Sequence, residues 1–193
     1  MTVAIWPIAQ HRGPVMVREP VVVACALLST GAAVIHFAVL GEHWREWWGY
    51  GLFFGVSAWL QLAWAAMVVA RPSSRLQIVG ATANLAIAVL WLVTRTGGVP
   101  AGPAFGEAEA ATFPDVLATA FEVTLGTAAF AVAALHLERM SLRRWVAGVA
   151  LLAVAAAVVG LTTASLVDAA SGDGSHDGDD TYGSSHEHGA GQR

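Results

Sequence analysis

Two ionisable residues stand inside long apolar stretches: His36, within VIHFAVLG, and Glu122, within ATAFEVTLG. On insertion scales an ionisable group at the centre of a membrane helix costs about 2.5–3.5 kcal/mol, which makes such residues functional candidates. Imidazole with carboxylate is a donor set taken by zinc, copper and nickel. The same pair could handle protons, because histidine changes charge near neutral pH. Other groups gather nearby in sequence. His43 follows His36 by seven residues and Asp115 precedes Glu122 by seven, so on continuous helices each pair shares a face, and Glu42 and Glu46 flank His43. His36, Glu42, His43, Glu46, Asp115 and Glu122 are therefore the candidate ligands of a divalent ion. Arg95 is the expected cation for Glu122, giving an intramembrane polar site of His36, Glu122 and Arg95. Gln61 and Asn84, each midway along an apolar stretch, read as an amide pair that packs helices, a contact worth about 0.6–2 kcal/mol. His176, His186 and His188 form a weaker, compositional metal-binding tract. The run starting at Asp173 is not a calcium loop, since its twelfth position is Ser184 where a glutamate is needed.

These residues are positioned by five apolar blocks, 21–41, 49–70, 76–94, 116–136 and 146–167. Blocks of about 20 apolar residues are long enough to cross about 30 Å of hydrocarbon as helices. The whole chain of 193 residues is 56% hydrophobic and only 12% charged, with a mean hydropathy of +0.59. The expected fold is all-α: a polytopic membrane protein built as a bundle of five transmembrane helices, residues 21–167. Residues 1–20, with Pro7, Gly13, Pro14 and Pro20, read as an irregular cytoplasmic leader. The long connection 95–115 is broken by glycines and prolines and reads as a loop. Residues 168–193 carry one arginine against six acids, and their Gly, Asp and His content predicts a disordered acidic tail.

Arginine placement predicts the orientation, because cytoplasmic loops are enriched in basic residues. Arg12, Arg18, Arg71, Arg75, Arg139, Arg143 and Arg144 fall on one side, Arg45, Arg95 and Arg193 on the other. The N-terminus is therefore expected inside and the C-terminus outside, with Trp44, Trp47, Trp48 and Tyr50 at the outer interface and Trp145 at the inner one.

The stretches HFAVLGEHWREWW (36–48), GLFFGVSAWLQLAWA (51–65), NLAIAVLWLVTRTGGVPAGP (84–103) and DVLATAFE (115–122) resemble a family of small multi-span membrane proteins of actinobacterial type. The resemblance covers roughly residues 30 to 130 and implies a bacterial plasma membrane. That family has no established activity, so no mechanism follows from it.

Several function classes are excluded by what the sequence lacks. It holds no HExxH, GxSxG, phosphate-binding loop or haem-attachment CxxCH, so no catalytic residue is assigned. No basic patch suits nucleic acid. A single cysteine, Cys25, forbids an internal disulfide. His36 and His136 fall at opposite ends of their spans, which argues against bis-histidine haem. The expected function is that of an integral membrane protein binding or passing a divalent cation or protons at an outward-facing His/carboxylate cluster. The alternative is a structural or accessory subunit whose polar residues only hold helices together. The lipid bilayer is the expected surrounding, and another membrane protein or a second copy of the chain the expected partner.

Overall fold

The computed structural model describes residues 15–134 and 141–172. Five helices dominate: α1 (Arg18–Glu46), α2 (Trp48–Ala70), α3 (Ser74–Thr96), α4 (Phe113–Ala134) and α5 (Arg144–Gly172). All five are long and apolar enough to cross a membrane, which makes this a multi-pass membrane protein. At about 1.5 Å per residue, even the 22 residues of α4 reach beyond the hydrocarbon thickness. Two short strands, β1 (Val15–Met16) and β2 (Ser141–Leu142), pair antiparallel and tie the start of α1 to the start of α5.

The helices run past the apolar blocks, for identifiable reasons. α1 begins at Arg18, inside the segment expected to be irregular, because Pro20 falls in the first turn, where a missing N–H costs no hydrogen bond. It continues beyond Gly41 to Glu46, since polar residues at a membrane surface do not break a helix whose backbone is already paired. Trp47 alone, extended at φ −161° and ψ 134°, separates α1 from α2. α3 opens on Ser73, whose Oγ accepts from the Leu76 N–H at 3.2 Å, satisfying one of the free donors of a helix start. α5 carries on through Asp168 to Gly172, five residues into the expected tail. The end of span four at 136, His136 itself, most of the leader and the tail from 173 onward lie outside the described residues.

α1 packs most extensively on α2 and also meets α4 and α5, while α3 packs on α4; the consecutive helices α2 and α3 touch little. The core is small-residued and lies in two clusters. One joins Val22, Cys25, Ala26, Trp64, Ala65, Val68, Ala81, Leu125 and Ala129 from four helices. The other joins Ala32, Ile35, Leu117, Ala118, Phe121 and Val158 from α1, α4 and α5. Close approach depends on glycine at Gly80, where a Cβ would fall 2.0 Å from the Trp64 ring. Gly51 and Gly55 face α1, where added Cβ atoms would meet Trp44 and Leu40, so this GxxxG serves packing within the chain. Gly160 has nothing within 4 Å. Large apolar side chains such as Trp59, Leu60 and Leu152 point outward, at 67%, 64% and 72% exposure, as lipid-facing residues must.

The loop between α3 and α4 folds back over one end of the bundle, referred to below as the loop end. Val99 is buried there and hydrogen-bonds Glu107 and Gly106 through its backbone. Gly102 turns at φ +89°, a conformation open to glycine, against the rings of Tyr50 and Trp47. The Tyr50 hydroxyl donates to the Ala101 carbonyl at 2.8 Å, fastening the loop to α2.

Candidate functional site

A single buried network joins four helices. His36 Nε2 on α1 and Glu122 Oε1 on α4 lie 3.0 Å apart, with the residues 4% and 1% exposed. One amide on α2 completes the arrangement: Gln61 Nε2 donates to Glu122 Oε1 at 2.8 Å and to Asn84 Oδ1 on α3 at 3.0 Å. Asn84 in turn donates to the Gly80 carbonyl at 2.9 Å, and Ser29 Oγ donates to the Gln61 carbonyl at 3.0 Å. Gln61 and Asn84 form the expected amide pair between helices, and through Gln61 that pair also continues the His36–Glu122 contact. Burying these groups without partners would cost several kcal/mol apiece. The network also has chemical capacity, because one proton lies between Nε2 and Oε1, held by the imidazole beside a carboxylate or by the carboxyl beside an imidazole.

On α2, α3 and α4 the first apolar cluster begins about one turn further from the loop end than Gln61, Asn84 and Glu122, and on α1 it begins about three turns beyond His36. Val68, Ala81 and Leu125 there are completely buried. Packed apolar side chains thus lie beyond the network toward the far end, while His36 and Glu122 border a cavity at the loop end and Gln61 and Asn84 border a second one between α2 and α3.

Arg95 departs from its expected role. It turns to Asp115, with Nη2 to Oδ2 at 2.7 Å, and to Glu109, both closer to the loop end than Glu122. The reason is register: Asn84 is the α3 residue level with Glu122 through Gln61, and Arg95 lies eleven residues further on, about 16 Å along the axis. Asp115, in the first turn of α4, is what faces the last turn of α3. The guanidinium also stacks 5.6 Å from the Trp91 ring.

The six candidate metal ligands do not gather. Among the described residues, no three His, Cys, Asp or Glu side chains form a group that could hold a metal ion. Glu42 and Glu46 are exposed, Asp115 is held by Arg95, and His43 packs on the Phe54 ring with centroids 4.2 Å apart. Phe54 also lies 5.4 Å from the His36 ring, so it stands beside both imidazoles. His176, His186 and His188 lie outside the described residues.

The cavity at the loop end has a volume of about 270 Å³, and His36, Glu122, His43, Arg95, Asp115 and Glu109 all line it. Trp47, aromatic rings of α2 and α3 and the turn 99–101 also line its wall. Three lining residues carry a buried nitrogen without a hydrogen-bond partner: His43 Nδ1, Trp91 Nε1 and Arg95 Nε. Sequence reasoning missed Glu109 and Trp91. The spacing of Trp91 and Arg95, one turn apart at a helix end followed by an acidic loop, was the available signal.

Comparison with protein-family models, curated proteins and solved structures finds no match for the chain. Fold and site define a multi-pass α-helical membrane protein with a buried His–Glu–Gln–Asn network beneath a loop-covered cavity.

Proposed function

We propose that the protein binds protons from one face of a bacterial plasma membrane, with the His36–Glu122 pair as the proton-holding site. The observation that carries this reading is the 3.0 Å contact between two buried titratable side chains that both line the cavity. Arginine placement supports a cavity that opens outward and an N-terminus inside. The apolar packing beyond the network favours binding over passage, since Val68, Ala81 and Leu125 there are completely buried. Protons are preferred to a divalent ion because too few ligands converge.

A second reading has its own support. Gln61 links Glu122 to Asn84 and so joins α2, α3 and α4 to α1, which is what a purely structural knot would do. Infrared difference spectra of the full chain in lipid separate the two. Acidification is expected to produce a carboxylic C=O band that is absent in Glu122→Gln, and the His36 ring ¹⁵N shifts should move with pH. Flat His36 shifts and an unaltered difference spectrum in Glu122→Gln, between about pH 5 and 8, would overturn the proton reading and leave the structural one.

A further inference from the structure

We infer that the cavity at the loop end is a binding site for a small organic cation with an apolar body, an amine or quaternary ammonium compound. The charge balance of the wall points that way. Among the described residues Arg95 is the one guanidinium on it, and this group already faces two carboxylates, Glu109 and Asp115. That triad carries one excess negative charge. Glu122 lies deeper on the same wall, engaged by His36 and Gln61, and His43 lines it as well. An anion entering here would meet carboxylates whose guanidinium is already engaged, whereas a cation would neutralise the excess charge of the part-buried triad.

The rest of the wall suits the body of such a ligand. Trp47, Tyr50, Phe53, Phe54 and Trp91 contribute aromatic rings, and ring faces attract ammonium groups, more strongly once desolvated. Arg95 over Trp91 shows one of these rings already in contact with a cation. The unpartnered Trp91 Nε1 and His43 Nδ1 leave polar capacity for a hydroxyl on the ligand. A divalent metal ion does not fit, as no three ligands converge. At about 270 Å³ the space suits a molecule of several carbon atoms rather than a bare ion.

This inference goes beyond proton binding and rests on different residues, Glu109, Asp115 and the rings. Its test is calorimetric titration of the purified full chain in lipid nanodiscs at one pH, with choline and with its uncharged isostere 3,3-dimethylbutan-1-ol as probes. Choline is expected to bind saturably and at least about tenfold more tightly than the alcohol. Glu109→Gln, on the half-exposed loop, should weaken choline by about tenfold, and Trp91→Leu should weaken it as well. Equal affinity for the two probes would make the cavity a site for neutral apolar molecules and overturn the inference. Absence of saturable choline binding, or Glu109→Gln binding as tightly as the parent, would overturn it equally. None of these results alters the Glu122 carboxyl band, so the two readings fail separately.

Discussion

Gln61 is the residue on which the site turns. Its two amide hydrogens go to Asn84 and Glu122, so Gln61→Leu would leave two buried oxygens each short of a donor. Hydrogen bonds between membrane helices are worth about 0.6–2 kcal/mol apiece, and an unmet buried acceptor adds to that loss. The variant is expected to lose about 1–3 kcal/mol of stability, read as a lower thermal unfolding midpoint in detergent, whereas Gln77→Leu breaks no recorded side-chain bond and should lose less. The importance of His36 and Glu122 was legible in the sequence, because an ionisable group among apolar neighbours stands out whatever the fold. Their link to Gln61 was not. Amides near the middle of two helices can pair with each other or with any group at that depth, and only helix register decides. Arg95 illustrates the same limit from the other side: its charge was plain, yet its partners depended on a displacement of about three turns along α3.

At the level of helices, the number and extent of apolar blocks reported five spans, since hydrocarbon thickness imposes one length on all of them. The ends were less legible. Hydropathy marks where lipid stops, whereas a helix stops where its backbone loses partners or meets an incompatible residue, so α1 runs on to Glu46 and α5 to Gly172. Small residues likewise looked alike in sequence but differ in surroundings. Gly80 admits the Trp64 indole, whose N–H donates to the Leu76 carbonyl at 2.8 Å, and any Cβ there would collide with the ring. Gly80→Val should displace Trp64, loosen α2 against α3 and cost about 1–3 kcal/mol. Gly160→Val, on a face of α5 with open space around it, should change stability by less than about 0.5 kcal/mol. Paired thermal melts of the two variants check the contrast; equal losses would mean that the α5 face is covered by a second chain.

The whole bundle has a polarity that follows from where its charges and its cavity lie. Arg71 lies in the connection between α2 and α3, Arg75 in the first turn of α3, and Arg143 and Arg144 at the start of α5, all at the end opposite the α3–α4 loop. Basic residues are retained on the cytoplasmic side, so the loop end should face outward. Two exposed positions test this, Pro72 in the α2–α3 connection and Ala108 in the long loop. In a background where the buried Cys25 is replaced by serine, Ala108→Cys should react with a membrane-impermeant maleimide applied to intact cells. Pro72→Cys should react only after the cells are opened. The opposite pattern would invert the topology. Orientation also governs the chemistry. Because Val68, Ala81 and Leu125 are packed beyond the His36–Glu122 pair, the proposed proton route to that pair runs through the loop-end cavity. In sealed vesicles of known orientation, changing the pH on the loop side should therefore shift the Glu122 carboxyl band within the dead time of mixing. Changing it on the far side alone should leave the band in place until the gradient leaks away. A band that follows both sides equally would mean that the apolar cluster conducts, and the protein would then pass protons rather than hold them.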